Sequence, residues 1–245
     1  LMSRPAAQQL DQTALLPSEP VTVVLSKMGW VRAAKGHEID PESLSYKTGD
    51  GFCSAAHGRS NQQVILMDST GRSYSLAAHN LPSARGQGDP LSGYFTAPAN
   101  AIFEHALMGL DKQYFLMVSS LGYGFVCQFS DLQSRTKTGK ATVSLGKGAK
   151  LLTPHAVSSV EDDYIAAVTS AGYLLLVKAS EVPQLARGKG NKIISIPPAK
   201  LKSGEETVVS VVSLPEGAKL VVHAGKKYKV LQGEALKEHL GERGR

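Results

Sequence analysis

Residues 62–76 read QQVILMDSTGRSYSL, and this stretch decides the fold. Four apolar side chains in a row, Val64 to Met67, lead into Asp68-Ser69-Thr70-Gly71, and the residues that follow alternate between polar and apolar up to Leu76. A β-rich apolar run, a turn with Gly and an alternating return describe a hairpin. Gly71 belongs at the turn because a left-handed backbone costs a residue with a Cβ roughly 1 kcal/mol or more. Asp68 is placed to bond the backbone two residues on. The same plan recurs as VTVVLSKMGWVRAAKG (21–36), QYFLMVSSLGYGFVCQF (113–129), DYIAAVTSAGYLLLVKA (163–179) and KLVVHAGKKYKVL (219–231). The turn glycines are Gly29, Gly71, Gly122, Gly172 and Gly225, at intervals of 42, 51, 50 and 53 residues. A period of about 40–50 residues in a strand-rich chain marks a propeller-like array. The repeat predicts an all-β domain over 21–245, with five blades of about four antiparallel strands each.

After each return strand comes a short turn or helix and then a Gly-rich basic loop. The loops are LPSARGQG (81–88), LQSRTKTGK (132–140) and VPQLARGKGNK (182–192), and their lead arginines fall 14, 13 and 15 residues after the turn glycine. A further strand is expected after each loop, at 94–96, 141–145 and 193–196. GEALKEHLGERGR (233–245) reads as the same element again. Residues 134–150 carry five basic side chains and no acid, and residues 184–192 carry three and no acid. Glycine lets backbone approach a phosphate and expose its N–H groups, while Arg and Lys release counterions from a duplex. One such loop alone is an ordinary solvated turn; three in phase around one rim predict a nucleic-acid surface. No aromatic residue interleaves these loops, so contact with a duplex backbone is expected, with little sequence reading and no stacking on single strands. The candidate phosphate clamps are Arg85, Arg135, Lys137, Lys140, Arg187, Lys189 and Lys192. Arg32, Lys35 and Arg72, just after the turns, serve the first and second blades, and Lys226 and Lys227 follow the fifth turn.

Composition sets outer limits. The 245 residues suit one large β domain, and 42% hydrophobic content supplies a core. The net charge of +6 permits a polyanionic partner without demanding one. Cys53 and Cys127 stand in apolar strand context and are expected to be buried thiols, not a disulfide. No secretory leader opens the chain and no apolar run reaches the ~20 residues of a membrane helix, which predicts a cytoplasmic protein. Residues 1–20 lack strand alternation and read as a linker, with one weak helical turn at 10–16; the chain opens as if excised from something larger. The seven histidines show no metal-ligand spacing, and no phosphate-binding loop, dinucleotide fingerprint or nucleophile elbow occurs. Glu161-Asp162-Asp163 and Glu205-Glu206 read as solvated turns, which disfavours a propeller hydrolase built on paired carboxylates. Trp30 and Tyr123, beside turn glycines, are expected to pack against a neighbouring blade. A protein-interaction module gripping acidic partners is the alternative to nucleic-acid binding.

Several stretches carry a family resemblance. EPVTVVLSKMGWVRAAKGHEID (19–40), LSYKTGD (44–50), DSTGRSYSL (68–76), LPSARGQGDPLSG (81–93), GYGF (122–125), PQLARGKGNKIISIP (183–197) and the terminal GERGR occur in the family's order. Residues 19–245 resemble the C-terminal domains of type IIA topoisomerase A subunits, the ParC and gyrase A family. The gyrase box QRRGGKG has only degenerate counterparts, at 84–88, 135–140 and 186–190, so the resemblance is nearer to the ParC branch, the A subunits of topoisomerase IV. It implies a β-pinwheel whose blades exchange strands and whose basic outer rim binds and bends double-stranded DNA, in a five-bladed form. It also implies a non-catalytic chain, because the family's catalytic tyrosine lies in an N-terminal breakage-reunion domain, to which residues 1–20 would be the tether. The domain would present the transported duplex and bias which topologies are processed. No cofactor is implied for this piece, while the whole enzyme would use ATP and Mg. The implied partners, at the nucleoid, are the ParC catalytic core, ParE and a chromosome-condensin subunit.

Overall fold

The computed structural model describes residues 16–241 and 244. The expected linker lies outside these residues up to position 15, as does nearly all of its helical turn. Its last residues are docked: Ser60 Oγ donates to Pro17 O at 2.7 Å, and Ser60 N donates to Glu19 O at 2.8 Å.

The hairpins stand where the repeat puts them. Pro20–Ser26 (β1) pairs with Trp30–Lys35 (β2), Gln63–Asp68 (β4) with Arg72–Ala77 (β5), and Tyr114–Val118 (β8) with Tyr123–Gln128 (β9). Tyr164–Thr169 (β12) pairs with Leu174–Lys178 (β13), and Leu220–Ala224 (β16) with Lys227–Leu231 (β17). On the far side of the first strand in four of these hairpins lies one that the repeat does not reveal. These are Phe52–Arg59 (β3) on β1, Phe103–Met108 (β7) on β4, His155–Val157 (β11) on β8 and Val208–Leu214 (β15) on β12. The same bulge recurs at the end of β1, β4 and β12, after Leu25, Met67 and Val168.

The fourth strand of each four-stranded sheet comes from the next unit. Asp89–Pro90 (β6) follows the second hairpin but pairs with β2, Lys140–Ala141 (β10) follows the third but pairs with β5, and Asn191–Lys192 (β14) follows the fourth but pairs with β9. The strand orders are β3-β1-β2-β6, β10-β5-β4-β7, β11-β8-β9-β14, β13-β12-β15 and β16-β17. Three sheets therefore have the four strands expected, the fourth has three and the fifth is a hairpin, among the described residues. The strands expected at 94–96, 141–145 and 193–196 are corrected to these shorter pairings. Tyr94 follows a 3-10 turn at Leu91–Gly93, and Phe95 points into the core. Short helical elements follow the return strands as expected, including Phe129–Leu132 (α1) and Gly233–Lys237 (α3); Pro198–Ser203 (α2) was not anticipated.

Packing explains the unbroken apolar runs. Val64 and Leu66 join a core with Val21, Val23, Tyr74 and Phe103, while Ile65 and Met67 join another with Phe115, Met117 and Phe125. A strand buried on both faces loses the polar-apolar alternation of a half-exposed one. Each such side chain contributes ~1.5–3 kcal/mol of burial. The last sheet packs on one face only, and its outer positions Val221, Tyr228 and Val230 are exposed.

The buried carboxylates all accept hydrogen bonds. Asp68 is fully buried; its Oδ1 accepts from Thr70 N at 2.9 Å, Thr70 Oγ1 at 2.6 Å and Arg72 N at 3.1 Å, and its Oδ2 accepts from Tyr74 OH at 2.6 Å. Two acids read as solvated are buried instead. Asp163 Oδ2 accepts from Ser158 N at 2.9 Å and Ser213 Oγ at 2.8 Å, and Glu206 accepts from Thr169 Oγ1 at 2.7 Å. Each is bonded to a hydroxyl from a distant strand, Ser213 or Thr169, which a short run of acids does not reveal. Both cysteines are free thiols. Burial pushes the Cys127 thiol up to about 12 and raises that of Cys53, so neither is a ready nucleophile.

Candidate nucleic-acid interface

The strand exchange turns the three basic loops into crossovers, residues 83–90, 134–141 and 184–192, each laid along a return strand. The first enters by a parallel bridge from Ser83 to Ala33 and the third by one from Gln184 to Val126, each leaving through its short antiparallel strand. The second is anchored where Ser134 N donates to Ser75 Oγ at 2.8 Å. A fourth begins the same way: Leu240 bridges Leu176, and Gly241 N donates to Leu176 O at 2.8 Å.

Neighbouring crossovers are bonded to one another. Thr96 N, just past the first, donates to Lys137 O in the second at 2.9 Å. Gly188 in the third donates to Thr142 O and accepts from Ser144 N, both at 2.9 Å. Gly244 N donates to Ile193 O at 2.7 Å, repeating the link one unit on. The crossovers thus form one continuous edge.

Their glycines serve the fold before any ligand. Gly190 has φ of +77°, and a Cβ built there would lie 1.9 Å from Gly124 O of the underlying strand; at Gly88, φ +93°, the obstacle is Val31 O at 2.4 Å. The sequence suggests such glycines as room for a phosphate, and the structure uses this pair as room for the neighbouring strand.

The ten candidate cations divide accordingly. Arg85, Arg135, Lys137, Arg187 and Lys189 are exposed on the crossovers, and among the described residues no ion pair joins any of them to a carboxylate. The second and third crossovers contain no acid; the first contains Asp89, which accepts from Tyr94 OH at 2.8 Å. Lys192 is exposed beside them. Lys140 is half-buried, and its Nζ donates to Asp131 O at 2.6 Å. Lys35 is exposed at the end of β2, outside the crossovers. Arg72 is half-buried, donating from Nε to Thr138 O at 2.9 Å and from Nη2 to Gly139 O at 3.0 Å. Arg32 leaves the set of surface clamps. It is only 2% exposed, its Nη1 donates to Gly86 O at 2.7 Å, and its guanidinium lies 4.8 Å from the Tyr46 ring centre. Arg32 and Arg72 are struts that hold crossovers down.

Replacing Arg32 by Ala is therefore expected to lower stability by about 2 kcal/mol, the scale of a hydrogen bond from a charged group. Denaturant unfolding measures this. A stable R32A variant whose duplex binding loses salt dependence would contradict the strut assignment.

One cation escapes a reading of the repeats. Lys47, from the loop between β2 and β3, places Nζ 3.4 Å from the centre of the Trp30 ring; in the same way Lys189 Nζ lies 4.0 Å from that of Tyr123. Lys47 lies outside the repeated loops. The only signal was its place within LSYKTGD, quoted for the resemblance and not for its charge.

Comparison with known proteins places this strand-exchanged β array in a class. The family described as "DNA gyrase C-terminal domain, beta-propeller" matches residues 113–158 and 163–215. The E. coli ParC C-terminal domain structure superposes with a TM-score of 0.83 at 49% identity, over 93% of this chain and 92% of that one. The A subunit of DNA topoisomerase 4 from Pseudomonas aeruginosa is 54% identical across the whole chain, and that from Escherichia coli K12 is 48% identical. The chain belongs to the family of ParC C-terminal domains, those of topoisomerase IV A subunits. It spans 32% of the length of those two full-length relatives.

Proposed function

We propose that this chain is a non-catalytic domain that binds and bends double-stranded DNA, largely without regard to sequence. The observation that carries the reading is the continuous edge of crossovers, with Arg85, Arg135, Lys137, Arg187 and Lys189 exposed and without a carboxylate partner among the described residues. Such an edge offers phosphates several cations at once, and a duplex bent along it would meet more of them than a straight one. Within a topoisomerase IV A subunit the domain would present the transported segment and tune decatenation against supercoil relaxation. Strand passage, with its catalytic tyrosine, ATP and Mg, would belong to the ParC core and ParE. A condensin subunit would be a further acidic partner, at the nucleoid. In this reading the array is a five-bladed pinwheel, with its last two sheets the smaller ones.

The test is duplex binding by anisotropy across a salt series. With five clamps engaged, log K should fall with log salt at a slope of about −4.5. Salt-independent binding, or none, would overturn the reading. Salt-sensitive capture of acidic proteins without any DNA binding would replace it with a protein-docking role.

A further inference from the structure

In each complete sheet, the residue after the turn glycine lies opposite the crossover strand. Trp30 pairs with Pro90, Arg72 with Ala141 and Tyr123 with Lys192. In the second sheet this residue is itself a cation. In the first and third it is a half-buried aromatic ring, and each ring has a lysine ammonium over its face, Lys47 at 3.4 Å and Lys189 at 4.0 Å from the ring centre. The two lysines arrive from different places. Lys189 comes from the crossover supplied by the next unit, whereas Lys47 comes from the loop at 36–51 of its own unit, between β2 and β3. Different loops have thus delivered a positive charge to the same place.

We propose that Trp30 and Tyr123 are positioning residues that seat Lys47 and Lys189 for contact with DNA phosphate, so that the first and third sheets each offer a seated cation beside the crossover strand. The inference rests on the duplex-binding reading and adds Lys47 to the contacts. Physically, an ammonium over a ring face is held by the ring quadrupole. Its lysine stem gives up rotamer freedom before DNA arrives, and the remaining N–H groups still face solvent. Ordering a free lysine on binding weakens affinity by about two- to tenfold, which a seated lysine avoids. Lys47 also supplies the first sheet with charge, since Arg32 is buried and the first crossover carries only Arg85.

The test is a double-mutant cycle read by duplex anisotropy on the full chain, with thermal unfolding as control. Tyr123→Leu should weaken binding by about two- to tenfold, Tyr123→Phe should restore it, and Tyr123→Leu should have no further effect in a Lys189→Ala background. Separately, Lys47→Ala, a surface change, should reduce the salt slope by about one. The proposal is overturned if Tyr123→Leu weakens binding equally with and without Lys189, or if Lys47→Ala leaves slope and affinity unchanged. Absence of duplex binding by the unsubstituted chain would instead remove the reading beneath it. Binding that persists with an unchanged slope in Lys47→Ala removes this inference alone.

Discussion

Reversing four charges together, Arg135→Glu, Lys137→Glu, Arg187→Glu and Lys189→Glu, is expected to abolish measurable duplex binding at moderate salt. Each neutralised phosphate contributes about 0.9 to the salt slope, so four lost contacts near 0.1 M salt correspond to roughly a thousandfold or more in affinity. The fold should survive. All four side chains are exposed, and the one ring contact described among them is that of Lys189 with Tyr123. The measurement is a binding titration paired with thermal unfolding. A folded quadruple variant that binds as well as the parent chain would show that the crossover edge is not the contact surface. Reversing Lys226, Lys227 and Lys229 on the last hairpin should matter far less, because that hairpin carries no described crossover.

Replacing Gly190 by Ala should be the most damaging single methyl addition in the domain. The left-handed conformation costs about 1–2 kcal/mol for a residue with a Cβ. The clash adds about 1–3 kcal/mol, because the obstacle is the backbone of Gly124 and not the end of a flexible side chain. A total of about 2–5 kcal/mol lowers the melting temperature by roughly 4–20 °C in a domain of this size. Gly172→Ala is the control. It has a similar φ, +88°, but nothing lies within 4 Å of the added Cβ, so only the conformational cost remains. Equal losses in the two variants would mean that close approach of the crossover is not what Gly190 serves. G190A should also weaken DNA binding, since it loosens the segment that carries Arg187 and Lys189.

The hairpins were legible because both faces of β4, β8 and β12 are buried, leaving apolar runs that end abruptly at a turn glycine. The outer strands were not. β3 is half-buried almost throughout, and its sequence FCSAAHGR has neither a run nor an alternation to find. The crossover strands are two residues each, too short for any periodicity, and their partners lie 58 to 69 residues earlier; Asn191, for example, pairs with Gly124. The positively charged loops were visible as composition, and five of the ten named cations stand exposed on the crossovers without a described carboxylate partner. What composition could not supply was burial by distant chain. Arg32 sits in WVRAAK, which reads as a solvated strand end, until Tyr46 and Gly86 close over it. Asp163 and Glu206 were misjudged for the same reason, because their hydroxyl partners Ser213 and Thr169 are 50 and 37 residues away.

The central claim is that residues 83–90, 134–141 and 184–192 together hold one double helix. Amide hydrogen exchange of the full chain, with and without a duplex of about 30 base pairs, tests it most directly. Protection on DNA addition should fall on all three crossovers and on the loop around Lys47, leaving β3, β7 and β11 unchanged. Protection confined to those outer strands, or to a single crossover, would contradict it.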